Sequence, residues 1–254
     1  MTTLPVEPRP AASLVLLRDG AEGLELFMIE RHGGLRFAPG ATVFPGGRLE
    51  GEDHAPGWRR FWPDGAAPAD LPQRVAALRE AFEECGLLLT DDPPDAARLE
   101  SLRRAMAAGR IFAEALDEAA LVPAPARAVP FSRWVTPDTL PRRFDTLFLL
   151  ARLPPGQTPV MDGGEAVAGR WTTPRRILAD ADAGTCRLVF VTRMILLRLA
   201  GCADPDSALR LAAGCDLSPI QPGVVETPAG PVFRIPAGCG FHPIDTPVEK
   251  VTLG

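Results

Sequence analysis

One stretch constrains this chain more than any other: Arg79-Glu80-Ala81-Phe82-Glu83-Glu84-Cys85-Gly86-Leu87. At about 100° per residue, Glu80, Glu83 and Glu84 fall in one sector of a helix, and Val75, Leu78, Phe82 and Cys85 fall opposite. The spacing predicts a helix over 71–86 whose apolar face packs on a sheet and whose other face carries three carboxylates within a turn. Like charges at helix spacing repel. Such a face is therefore either solvated or built around a hard cation, which prefers oxygen donors and offsets the repulsion. Gly86 is a natural helix stop, and Leu87-Leu88-Leu89 reads as a buried strand-like run.

The rest of the chain supplies a mixed architecture. Residues 12–18 and 24–31 read as strands around the Asp19-Gly20 turn signal, with a short strand at 41–44 that Pro45-Gly46-Gly47 should stop in a tight turn. Residues 54–70 have no sustained period and read as an insertion or long loop. Asp70 is placed to cap the helix that follows, with Pro72 in its first turn. Further helices are expected over 95–107, 110–120, 174–182, 187–200 and 204–214, and strands over 129–135, 144–151 and 168–172. The Pro/Gly-rich segment 216–254 holds short β-like pieces at 223–227 and 231–235. Strands and helices mixed without regular βαβ alternation indicate an α/β (α+β) domain with a mixed sheet between helices.

Bulk properties narrow the partners. A chain of 254 residues with 46% apolar and 23% charged residues suits one soluble domain, taken here as 1–254. A net charge of −5 gives no electrostatic footprint for nucleic acid or an anionic membrane. No basic-then-apolar leader opens the sequence and no long apolar run crosses it. Five cysteines without a C-x-x-C pair read as reduced, mostly buried thiols, and the expected compartment is the cytoplasm.

The helix motif and its surroundings resemble the Nudix hydrolases, whose box is G-x5-E-x7-R-E-U-x-E-E-x-G-U with U a bulky aliphatic. Arg79, Glu80, Glu83, Glu84, Gly86 and Leu87 satisfy its second half; Ala81 is smaller than usual at the first U. In the first half, Gly47 is followed by Asp53 at the spacing of the family's Glu. Twenty-five residues separate Asp53 from Arg79 where the standard box has seven. Closure entropy grows slowly with loop length, so the split need not divide the site. An interrupted box behind Phe44-Pro45-Gly46-Gly47 is similar to that of the insertion-bearing coenzyme A diphosphatases of peroxisomes and bacteria. The likeness takes in Arg143-Phe144-Asp145-Thr146, Asp162-Gly163-Gly164-Glu165 and Arg170-Trp171. Of a coenzyme A signature L-R-x-H-x-G found in some relatives, Leu35, Arg36 and Gly40 fit, and Ala38 stands where the His would be.

The resemblance implies a Nudix α/β/α sandwich with a C-terminal helical extension from about 187, and a divalent cofactor, Mg²⁺ or Mn²⁺. Glu80, Glu83 and Glu84 would hold the metal with the Gly46 carbonyl, and Arg79 would orient them. Asp53 either helps the metal shell or is a loop acid. Glu165, or a box glutamate, would be the general base. Arg31, Arg36 and Arg143 are candidates for gripping phosphates, with Gly47 approaching through its backbone and Phe37 or Trp171 stacking on adenine. Trp58 and Trp62 either cover an apolar substrate arm or anchor the insertion on its own domain. The implied substrate is a small nucleotide, coenzyme A or acyl-coenzyme A. ADP-ribose, a dinucleotide or another nucleoside diphosphate derivative is the alternative, and a non-catalytic binding module the next. A homodimer is also consistent with the family.

Overall fold

A computed structural model describes residues 6–35, 38–63 and 66–253. The centre is strand β1 (Arg9–Gly20), which runs parallel to β6 (Phe144–Arg152) over Arg9↔Phe144 to Leu17↔Arg152. β5 (Val129–Val135) pairs antiparallel beyond β6. On its other side β1 has two neighbours. β2 (Gly23–Arg31) pairs only with its last residues, Leu17↔Leu26 to Gly20↔Gly23, and β4 (Gly46–Arg48) takes the first part, Ala11↔Arg48 to Ser13↔Gly46. β3 (Thr42–Val43) and β7 (Ala166–Thr172) join β2. The sheet is thus mixed and splits where β1 and β2 part.

Period-2 alternation divides the core. Leu14, Leu16, Phe27, Ile29, Leu147 and Leu149 face one side, under α1 (Leu71–Cys85), α2 (Ala96–Ala107) and α3 (Phe112–Ala119). Val15, Leu17, Leu26, Met28, Phe148 and Leu150 face the other, under α4 (Pro174–Asp182), α5 (Phe190–Leu199) and α6 (Pro205–Ala213). The expected sandwich is present, and the helices beyond 187 are its second layer, packed on the sheet. The tail is integral too. Ile220 exchanges backbone hydrogen bonds with Arg133 and Val135 on β5. A meander of β8 (Gly223–Thr227), β9 (Gly230–Arg234) and β10 (Asp245–Pro247) buries Phe233 in the second core.

Three local expectations need correction, and the insertion resolves one alternative. Gly46 and Gly47 do not end a strand but form β4, because without side chains they fit against β1. A Cβ on Gly46 would lie 2.4 Å from the Ala12 carbonyl oxygen. Leu87–Leu89 are buried but join no ladder; the Gln157 side-chain amide replaces a neighbouring strand, bonding the Leu88 N–H and C=O at 2.8 Å each. Asp70 makes no side-chain cap and instead pairs with buried Arg74 at 3.0 Å, whose charge needs a partner. The insertion forms short 3-10 turns over Gly51–His54 and Pro56–Phe61. Trp58 is buried against Phe61 and Phe112 and donates to the Glu52 carbonyl at 2.8 Å, and Trp62 lies under the Arg74 guanidinium. Of the two uses foreseen for these tryptophans, anchoring is the one present.

Candidate active site

α1 is closed by Gly86 in the left-handed conformation (φ 66°), as the sequence indicates. Its acidic sector is covered in part, with Glu83 left exposed. β4 crosses directly over it: a Cβ on Gly47 would lie 2.4 Å from the Glu80 carboxyl carbon. The Gly46 N–H donates to Glu84 Oε2 at 2.9 Å. The glycine pair therefore lets backbone approach the carboxylates, and Glu84 ends 3% exposed. Helix periodicity alone cannot reveal this, because the cover comes from a segment paired to a different strand.

Arg79 organises the cluster. Its guanidinium forks onto Asp53, Nε to Oδ1 at 3.1 Å and Nη2 to Oδ2 at 3.0 Å. Nη1 donates to Glu80 (3.1 Å) and Glu83 (2.9 Å), and Nη2 also to the Arg48 carbonyl (3.0 Å). Bidentate geometry of this kind fixes orientation as well as charge. Burial opposes the Arg79 charge, but Asp53, Glu80 and Glu83 outweigh it and hold the guanidinium protonated above its ordinary range. Asp53, itself buried, also accepts the Glu50 N–H at 2.7 Å, so it belongs to the site's support.

Burial pushes Glu84 up to about 8 and Glu80 up to about 7, with repulsion between acids, including Glu165, adding to both. The Gly46 N–H and Arg31 act against the rise at Glu84, and Arg79 does so at Glu80. Burial raises Glu83 as well. Glu84 Oε1 is buried and accepts no hydrogen bond among the described residues; the Arg31 Nη1 lies 3.6 Å away. An orphaned buried carboxylate oxygen within an all-oxygen cluster suits a hard divalent cation. As they stand, Glu80 and Glu83 are turned onto Arg79. Among the described residues no three acidic, His or Cys side chains already converge as a closed metal shell.

Above the cluster, where β1 and β2 part, opens a cleft of about 680 Å³. Arg31, Gly46, Gly47, Glu80, Glu83 and Glu165 line one end. The other end is apolar, with Trp134, Phe148, Val189, Phe190, Val191 and Phe233. Arg143 is not in the lining. Its buried guanidinium donates to the Thr136 and Val6 carbonyls, and the neighbouring Arg142 lines the cleft instead. Trp171 also lies outside the lining, packed on Phe27 and covered by Arg18. Arg36 and Phe37 lie outside the described residues. Sequence reasoning missed the apolar end altogether, since its walls come from β5, β6, α5 and the tail.

A solved Nudix hydrolase from Alicyclobacillus acidocaldarius is 30% identical, with a TM-score of 0.68, and the match covers 84% of this chain and 97% of that one. This chain belongs to the Nudix hydrolase family. The NUDT19 Nudix domain model matches residues 63–186, which take in the second half of the Nudix box and Glu165 but not Asp53. The human protein named acyl-coenzyme A diphosphatase NUDT19 is 30% identical over 206 residues, covering 61% of this chain and 54% of its own. A putative Nudix hydrolase of Caenorhabditis elegans is 27% identical over 213 residues, covering 78% of this chain and 62% of its own. The chain thus spans little more than half the length of the curated relatives it matches. Of the apolar wall, Trp134 and Phe148 lie inside the domain match and Val189, Phe190, Val191 and Phe233 outside it.

Proposed function

We propose that this Nudix chain hydrolyses the phosphoanhydride of a nucleoside diphosphate joined to a second moiety, with coenzyme A or an acyl-coenzyme A as substrate. The observation that carries the reading is Glu84 Oε1, buried and accepting no hydrogen bond among the described residues, on the same helical turn as Glu80 and Glu83, which line the cleft. Glu80, Glu83 and Glu84 would hold Mg²⁺ or Mn²⁺, with the Gly46 carbonyl a further candidate. When bound, the cation supplies charge neutralisation at the phosphoryl oxygens and a more acidic water.

The chain's own residues do the rest. Arg79, locked by Asp53, sets the carboxylates of Glu80 and Glu83. Arg31 is placed at the cleft to meet phosphate charge. Glu165 faces the same space and takes the proton of the attacking water. The water oxygen bonds to phosphorus as the anhydride P–O bond breaks, and the leaving phosphate keeps the electron pair. Coenzyme A would give adenosine 3′,5′-bisphosphate and 4′-phosphopantetheine. The apolar end suits a pantetheine or acyl arm, and the names of the human, Xenopus and chicken relatives favour the same substrate class.

The test is a panel of coenzyme A, acyl-coenzyme A esters, ADP-ribose and dinucleotides, each with Mg²⁺, Mn²⁺ or chelator, with products identified by mass. Phosphopantetheine or its acyl form is the expected product, absent with chelator. Hydrolysis of ADP-ribose or dinucleotides alone would move the assignment to that substrate class. No hydrolysis of any member would overturn the enzymatic reading in favour of a binding module.

A further inference from the structure

The loop between β6 and β7 is tied to both sides of the site by one residue, Asp162. Its N–H donates to the Glu84 carbonyl at 3.3 Å, and the nearby Val160 N–H donates to the Cys85 carbonyl at 2.9 Å. Those are end carbonyls of the helix that carries the acidic cluster. The Asp162 side chain points the other way along the loop. Its Oδ2 accepts the N–H groups of Gly164 (3.0 Å) and Glu165 (2.7 Å), and its Oδ1 accepts that of Ala166 (2.8 Å). Three successive amides on one carboxylate leave the backbone of this turn little freedom, and hydrogen bonds to a charged acceptor are the stronger kind.

Glu165 is held on its far side as well. Its carbonyl accepts the His32 N–H at 2.8 Å, next to Arg31, and Ala166 after it is fully buried in the first core. The Glu165 side chain is exposed to the cleft and close enough to Glu80 and Glu84 to raise both. The loop is otherwise polar and glycine-rich; Gly163 and Gly164 add no side-chain packing, and besides Asp162 the turn is closed by the Gly163 N–H on the Ala166 carbonyl at 3.1 Å.

We infer that Asp162 is a positioning residue: it ties the backbone of Glu165 to the end of the carboxylate helix and so sets the distance between the base and the acidic cluster. The inference rests on the proposed reading of Glu165 as the proton acceptor. It does not depend on which nucleoside diphosphate derivative is cleaved.

Asp162→Asn keeps size and one acceptor but loses charge and the second acceptor. A displacement of about an ångström at a reacting group costs on the order of a hundredfold in rate. Asp162→Asn should lower kcat tenfold to a hundredfold while KM for the cleaved substrate stays within about twofold and the melting temperature stays near that of the parent. Glu165→Gln should lower kcat further, and the double variant should be no slower than Glu165→Gln, because groups acting as a unit are not additive. Asp162→Glu, which restores the charge, should recover part of the rate. Parental kcat in Asp162→Asn, or losses that multiply in the double variant, would overturn the inference. Amide exchange of the 163–166 segment gives a readout without turnover: faster exchange in Asp162→Asn is expected, and unchanged protection refutes the tie. A parent without hydrolase activity would refute the functional reading separately, and Glu165→Gln at parental rate would refute its role as base.

Discussion

The two ends of the cleft are built on opposite terms. At the acidic end, Glu80 and Glu84 of one helix are crowded by two glycines and kept from most water, while Glu83 and Glu165 stay exposed. At the other, Trp134, Phe190 and Phe233 come from three distant segments and meet edge-to-face, Phe190 and Phe233 with centroids 4.8 Å apart. The first is centred on one helical turn and is costly in free energy, since burial raises Glu80 and Glu84 together. The second is non-local and is itself part of the second core. A short acidic motif is thus joined to an apolar wall contributed by distant parts of the chain.

The sharpest way to break this contrast is Glu83→Gln. It should cost about a thousandfold in kcat/KM with little change in melting temperature, as loss of a key electrostatic group does; initial rates and circular dichroism measure both. Next is Asp53→Asn, which removes one partner of a buried ion pair and should destabilise the fold by roughly 3–5 kcal/mol, read from denaturant unfolding. At the apolar end, Val191→Trp adds bulk at a half-buried lining position. It should lower kcat/KM for long-chain acyl substrates about tenfold and leave free coenzyme A nearly unaffected, since a few methylenes in a pocket are worth that much.

The smallest effect is a pH slope. Glu84 near 8 and Glu80 near 7 stand above their ordinary 4.5, so in the folded, metal-free protein they keep protons that the unfolded chain has lost. Their contribution is therefore most favourable below about pH 4.5 and declines as pH rises through 7 and 8. With chelator, the melting temperature should fall over that window; saturating Mg²⁺ should remove the fall, and Glu84→Gln should flatten it.

Most elements were legible because their periodicities are local: α1 with its Gly86 stop, and the β1–β2 hairpin around Asp19-Gly20. Glu80, Glu83 and Glu84 were legible as a set for the same reason. Which of the three is buried was not, because that depends on β4 lying against β1, a pairing between segments far apart. Asp53 was found only by counting from Gly47 across an insertion, and its contact with Arg79 follows from the fold. Arg142 and Arg143 are indistinguishable in sequence; the bend before β6 leaves one on the cleft and the other on backbone carbonyls. Asp162 left no signal beyond its place in a glycine turn, since its partners are main-chain amides.

The Asp53–Arg79 fork also has a mechanical meaning. It bridges residues 26 apart across the insertion at 3.0 Å, while Trp58 pins the segment between them in the core. The part of the chain before the insertion contributes β1, the strand at the middle of the sheet, paired with the whole of β6 from Arg9 to Leu17. A protease cut inside the insertion would therefore leave two pieces held by a central strand and a buried clasp. Such pieces should co-purify, and separately made halves of this enzyme fold should be able to find each other.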